Sequence, residues 1–234
     1  MKPSEQLKQA YAILKDEDWL PTPLLPSRIG YRLNSEIWLK REDCSPIGSF
    51  KLRGGLTAMS SNKDVVKKTP VYVASAGNYG LAIAEAGKRF GVSVTVFVSN
   101  NANPSKIRCI LDTGAQVVHH GQDFDTAKEY GKKAAVKDKA DFWEDGVVPE
   151  MAYGASTIAN ELLNTNIDWD IVLVPIGNGS LIKGISSLFK EIKPATQIIG
   201  LVTSGAPVMQ KAITGQKFDI NEITNTEADG LEVR

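Results

Sequence analysis

Short runs of apolar, largely β-branched residues recur along the chain at IWLK (37–40), VYVA (71–74), VTVFV (94–98), QVVHH (116–120), DIVLVPI (170–176) and QIIGLV (197–202). Between them apolar positions return at helical spacing, the sequence form of repeated βαβ units. Runs that are continuously apolar predict strands of a parallel sheet covered on both faces. The fold class expected is therefore α/β, with open, mostly parallel sheets and helices on both faces.

The helices have readable ends. GLAIAEAGKRF (80–90), YGASTIANELL (153–163) and SLIKGISSLFKEI (180–192) each run to a Gly or polar turn. Asn103 reads as the cap of a helix that opens on Pro104 and stops at Gly114, and another helix spans Asp123 to about Lys137. No internal repeat or low-complexity tract interrupts the alternation. Only the final FDINEITNTEADGLEVR lacks a strand or helix pattern that would close a sheet, so the chain reads as cut short.

A length of 234 residues suits one large domain or two modest ones. Lys and Arg number 27 and so do Asp and Glu, without runs, which removes the electrostatic footprint of nucleic-acid binding. The longest apolar stretch, Ile171 to Ile176, is far too short to span a bilayer, and MKPSEQLKQAYAILKD lacks an apolar signal segment, so a cytoplasmic protein is expected. Cys44 and Cys109 form no disulfide or zinc framework.

Three turns carry the candidate chemistry. In KREDCSPIGSFKLRGG (40–55), Lys51 opens a helix beside Phe50, and burial together with the cationic Arg53 would lower the pKa of its amine. ASAGNYGLA (74–82) follows VYV and precedes a helix, so Ser75, Gly77 and Asn78 would present backbone N–H groups to a carboxylate or phosphate. PIGNGSLIKGI (175–185) leads the most apolar strand into a helix through Gly177, Asn178, Gly179 and Ser180, without Walker or GxGxxG spacing. Taken singly, these read as a solvated helix lysine, a capped βα turn and a glycine loop.

Taken in order, LPTPLLPS (20–27), SFKLRGG, ASAGN, PIGNGSL and EADG (227–230) resemble the threonine/serine dehydratase branch of the fold type II (tryptophan synthase β-like) pyridoxal-phosphate enzymes. The resemblance implies pyridoxal 5'-phosphate as cofactor and Lys51 as the catalytic Schiff-base lysine. Phe50 would pack on the cofactor ring, and Asn78 would bond its 3-oxygen. Gly177, Asn178, Gly179, Ser180 and Leu181 stand where the family has a GGGGL phosphate cradle. Ser75, Ala76, Gly77 and Tyr79 would hold the substrate carboxylate. Asn178 and Ser180 depart from the glycine run, which puts the phosphate geometry in question, and Tyr79 replaces a common His.

The reaction implied is β-elimination from L-threonine or L-serine. Lys51 takes the α-proton, the β-hydroxyl leaves, and hydrolysis gives a 2-oxo acid and ammonia. A small domain, 70–147, would sit within a large one, 1–69 and 148–234, with the cofactor in the cleft between them. The late segment whose Ser or Cys bonds the ring nitrogen in relatives is not found in 231–234, so the alternatives are a catalytically weak cofactor-binding or partner-binding fragment, or another fold type II activity such as threonine synthase. A homo-oligomer or a complementary C-terminal chain is the expected partner.

Other residues read plainly. His119 and His120, adjacent in a strand, point to opposite faces and cannot chelate one ion. Metal activation is not expected, because Val202 and Val208 stand where some relatives carry acidic ligands. Cys44 reads as a small buried thiol, and Glu42, Asp43, Glu144 and Asp145 as ordinary strand-end carboxylates.

Overall fold

The computed structural model describes residues 2–217, 219 and 224–233. An unanticipated helix, α1 (Pro3–Asp16), opens the chain with Pro3 in its first turn and the Glu5 carboxylate accepting from the Lys2 amide at 3.0 Å. Leu7, Ala10 and Leu14 recur at helical spacing and are buried.

The segment IWLK does form a strand, β2 (Trp38–Lys40), but not in the parallel sheet. It pairs antiparallel with β1 (Leu24–Pro26) across a short helix, α2 (Gly30–Leu33). The prolines of LPTPLLPS hid β1 from a strand reading, since a residue without an N–H suits an edge.

Next come α3 (Lys51–Ser61) and the short α4 (Lys63–Val66), then a four-stranded parallel sheet in the order β5-β4-β3-β6. Its strands are β3 (Val71–Ala74), β4 (Val94–Val98), β5 (Gln116–His119) and β6 (Asp141–Trp143), linked by α5 (Asn78–Phe90), α6 (Pro104–Leu111) and α7 (Phe124–Asp138). β4 is buried at every position, as a central strand covered on both faces should be. The Asn103 side chain accepts from Ser105 N at 2.9 Å and Asp123 caps α7 in the same way, so both start signals act as the sequence suggests. β6 went unanticipated because its three residues carry too little pattern.

After β6 the chain forms α8 (Glu150–Leu163), which starts three residues before the expected Tyr153, then β7 (Ile171–Pro175), α9 (Ser180–Ile192), β8 (Gln197–Leu201) and α10 (Val208–Ile213). β7 and β8 pair in parallel, and their inner face packs Val172, Val174 and Ile198 against the helices. The expectation of two covered faces fails here. Ile171, Leu173, Ile199 and Leu201 share the other face, and Leu173 is 59% exposed. From the closing segment, Phe218, residues 220–223 and Arg234 lie outside the described residues, while Asp229–Leu231 forms one 3-10 turn.

Helix α3 is the centre of the molecule, wedged between α5 and α8 by glycines. A Cβ at Gly55 would lie 2.7 Å from the Ala82 carbonyl oxygen, and one at Gly154 would lie 2.4 Å from the Arg53 carbonyl. The glycines of SFKLRGG are therefore packing residues, which leave room for backbone rather than side chain. Gly154→Ala gains helix propensity of about 1 kcal/mol but forces two helices apart, and a net destabilisation of roughly 2 kcal/mol is expected in urea unfolding. A variant as stable as the parent would show that α3 and α8 can shift freely. Among the described residues no helix is long and apolar enough to cross a membrane.

Candidate active site

The approach to α3 is a locked loop. Ser45 Oγ donates to the Ser49 carbonyl and accepts from the Ser49 amide, each at 2.8 Å, and Gly48 takes a φ of +68°. This fixes where Phe50 ends and where Lys51 begins the helix. The Lys51 ammonium lies 5.4 Å from the Phe50 ring centroid and 5.7 Å from that of Tyr79, and its side chain is 14% exposed.

Arg53 does not act as the expected cationic neighbour of Lys51. Two residues further along the helix, its guanidinium is completely buried and held by Glu42 and Glu161, with hydrogen bonds to Thr157 and Thr22 and the Trp19 ring at 4.8 Å. Burial works against its charge, but the hydrogen bonds it donates to Glu161 and the charge of Glu42 outweigh it and raise the pKa. Glu42 is thus a partner in a buried charge network rather than an ordinary strand-end carboxylate. Cys44, in turn, is exposed, because its short 3-10 turn lies on the surface.

What meets Lys51 is Asp145, from the turn between β6 and α8. Its Oδ2 accepts from Lys51 Nζ at 2.8 Å and from Asn178 Nδ2 at 2.9 Å. Asp145 is thus a partner of the lysine rather than an ordinary strand-end carboxylate, a role the sequence did not show because no periodicity or spacing signals a contact between residues 94 apart.

Tyr79, in the first turn of α5, is buried with its hydroxyl lacking a hydrogen-bond partner. Burial first, and then the carboxylates of Asp145 and Glu144, push its phenol above the ordinary range, so it stays neutral. Before it, Ser75 Oγ accepts from the Gly77 amide at 3.2 Å, Ala76 packs against the main core, and Asn78 is exposed as the first residue of α5. The Ser75 hydroxyl thus stabilises the turn itself.

The third turn runs from β7 into α9. Gly179 sits at φ +87° and caps the helix, Ser180 is buried, and Leu181 packs into the second core cluster. A Cβ at Gly177 would lie 2.7 Å from the Gly230 carbonyl oxygen, so the EADG segment lies against this turn, and Asp229 forms an ion pair with Lys106 of α6. The first-turn N–H groups of α5 and α9 have no intrahelical acceptors, and the helix dipoles favour an anion there.

The structure thus links Lys51, Phe50, Tyr79 and Asn178 in one half-buried place, with the Gly177–Leu181 turn beside it. Among the described residues Lys51 hydrogen-bonds to Ser49 and Asp145, and to neither Asn78 nor Ala76. A site of this composition fits a phosphorylated aldehyde. It has an amine at a helix start, a glycine turn opening a helix, and two buried polar atoms, Tyr79 OH and Asp145 Oδ1, without partners. His120 lies elsewhere, stacked on Tyr130 at 3.8 Å. Among the described residues no cluster of His, Cys, Asp or Glu is arranged to hold a metal ion.

Residues 16–234 match the family described as pyridoxal-phosphate dependent enzyme. An L-threonine ammonia-lyase of Thermotoga maritima is 32% identical over 230 residues, which cover 98% of this chain and 57% of that protein. The processed form of threonine deaminase isoform 2 from Solanum lycopersicum superposes with a TM-score of 0.86 at 31% identity, over 98% of this chain and 68% of that one. A pyridoxal 5'-phosphate-dependent aspartate racemase superposes with a TM-score of 0.89 at 26% identity, over 98% of this chain and 72% of that one. The chain therefore spans little more than half the length of the curated ammonia-lyase it matches.

Proposed function

Because the chain belongs to the pyridoxal-phosphate dependent enzyme family of fold type II, we propose that it serves β-elimination from L-threonine or L-serine, releasing a 2-oxo acid and ammonia. The observation that carries this reading is the meeting of Lys51 with Tyr79 and Asp145, and of Asp145 with Asn178, four residues from four separate segments. Likeness to threonine ammonia-lyases supports the substrate class.

In this reading Lys51 would hold the cofactor through its amine and would take the substrate's α-proton on Nζ. Phe50 would pack against the cofactor ring and Asn78 would bond its 3-oxygen. Gly177, Asn178, Gly179, Ser180 and Leu181 would hold the phosphate through the α9 N-terminus, whereas Ser75, Ala76, Gly77 and Tyr79 would hold the substrate carboxylate at the start of α5. The bound cofactor supplies an electron sink for the pair left on the α-carbon. Residues 70–147 act as a small domain against a large domain of 1–69 and 148–234. Tyr79 and Asp145 then come from one side of the cleft, Lys51 and Asn178 from the other.

The direct test is to supply pyridoxal phosphate with L-threonine or L-serine and measure 2-oxobutanoate or pyruvate. Oxo acid above the cofactor-only control supports elimination. A bound-cofactor absorbance band with no oxo acid would favour a cofactor-binding module instead.

The racemase likeness makes a second outcome worth measuring. Racemisation needs a proton donor on the opposite face, and Ala76, where similar serine racemases carry a second serine, offers none. D-serine formed from L-serine should stay below about a hundredth of pyruvate release, as chiral chromatography would show; comparable rates would overturn this assignment. The uncovered face of β7 and β8 supports association with a second copy or a complementary chain, which sedimentation equilibrium would register as a mass rising with concentration. A concentration-independent monomer mass would count against it. The same reading places a small amino-acid enzyme in the cytoplasm, with no nucleic-acid or membrane partner and no metal.

A further inference from the structure

Asp145 is held from two sides. Its Oδ2 takes both the Lys51 ammonium and the Asn178 amide, and the next residue, Gly146, has φ +85° with its Cβ direction 3.3 Å from the Asn178 carbonyl oxygen. The turn after β6 is therefore pressed onto the glycine turn before α9. Its neighbour Glu144 is directed elsewhere, to Lys128 and Lys132. The other groups around the Lys51 amine are the Phe50 ring and the neutral Tyr79, neither of which balances a positive charge. Asn178, which breaks the glycine run expected of a phosphate cradle, has a defined task here, because its amide holds the carboxylate that holds the lysine.

We propose that Asp145 is a positioning residue for Lys51, aiming its amine and stabilising the ammonium formed when that amine accepts the substrate's α-proton, with Asn178 fixing Asp145 for this purpose. The inference rests on the function proposed above. In the step concerned, the Cα–H bond breaks, an N–H bond forms on Lys51, and the electron pair remains with the substrate carbon, delocalised into the bound cofactor. The new positive charge then appears 2.8 Å from a carboxylate oxygen. A charge that develops during the step and meets a fixed opposite charge lowers the barrier rather than tightening ground-state binding.

L-Alanine, which has no β-leaving group, isolates the proton transfer. Exchange of its α-hydrogen in D2O by the cofactor-loaded chain, followed by proton NMR, should fall roughly 10- to 100-fold in Asp145→Asn, with the half-saturating alanine concentration changed less than about threefold. Asp145→Glu should recover part of the loss. At saturating pyridoxal phosphate, Asn178→Ala, which keeps the backbone amide offered to the phosphate, should slow exchange by about 3- to 10-fold in the parent and by a smaller factor in Asp145→Asn, because the two residues act in series. In the cofactor-free chain, acetylation of Lys51 read by mass spectrometry should rise about 2- to 5-fold in Asp145→Asn, with other lysines unchanged.

Exchange within twofold of the parent in Asp145→Asn, with Lys51 still marked by borohydride in the loaded protein, would overturn the inference and leave the proposed function standing. Loss of bound cofactor in Asp145→Asn without recovery in Asp145→Glu would also overturn it, by showing a structural role. If the parent exchanges no faster than Lys51→Ala, the function itself fails, and this inference with it.

Discussion

Replacing Lys51 with alanine is expected to abolish covalent retention of pyridoxal phosphate and to lower oxo-acid release by roughly a thousandfold or more. Borohydride treatment of the loaded parent should attach the cofactor to the peptide containing Lys51, and the variant should yield no marked lysine. The locked Ser45–Ser49 loop places this amine at the first position of α3, beside Phe50 and Tyr79. The two lysines nearest in sequence are differently placed. Lys40 is bound to Glu161 and to the Thr22 carbonyl, and Lys63 begins a helix beyond the end of α3. Folding should be little affected, because the Lys51–Asp145 pair retains some solvent access and such pairs contribute about 1 kcal/mol or less. Marking of any lysine other than Lys51 would remove the residue on which the proposed chemistry depends.

The largest loss of stability is expected from Arg53→Met. Arg53 is 0% exposed, and its guanidinium reaches Glu42 at 2.9 and 3.0 Å and Glu161 at 2.5 and 3.0 Å. Lys40 adds a second cation to Glu161, so two positive and two negative charges balance in one buried cluster. Removing the arginine leaves two carboxylates facing one lysine with little water to compensate. Breaking a buried pair in this way costs about 3–5 kcal/mol, whereas replacing both partners with matched neutral groups can be nearly neutral. For a chain of this size that corresponds to a melting temperature lower by roughly 6–20 °C. Combining Arg53→Met with Glu42→Gln and Glu161→Gln should recover a large part of the loss. The network also fixes α3 against α8 and the β1–β2 pair, so the single variant should retain cofactor less well even where it remains folded. A single variant within about 1 kcal/mol of the parent would show that the carboxylates find other partners or are solvated.

Much of the architecture follows from local rules. VTVFV is a strand buried at every position, its one polar side chain being the small Thr95, and SLIKGISSLFKEI begins and ends as a helix at the expected residues. Asn103 and Asp123 cap the helices they precede, since a side-chain acceptor beside free amides acts over two or three residues and needs no distant partner. The three turns with candidate chemistry are likewise local objects. A lysine at a helix start, a serine bonded two residues ahead and a glycine held at positive φ are all written in adjacent letters.

Other features depended on contacts that no local pattern encodes. The antiparallel pairing of Trp38–Lys40 with the proline-flanked Leu24–Pro26, and the exposed outer face of β7 and β8, are set by which segments arrive beside a strand. Arg53 looked like a neighbour of Lys51 because the two are close in sequence. In the helix, however, residues two apart point in different directions, and only folding brings Glu42 and Glu161 to it. Asp145 meets Lys51 for the same reason in reverse. The chemistry proposed for the lysine and the glycines rests on residue type and order, which are legible in the sequence. The partners of their charges were fixed by the packing of α3 between α5 and α8 and by the turn after β6, because a charge acts across space on whatever tertiary structure places within a few ångströms.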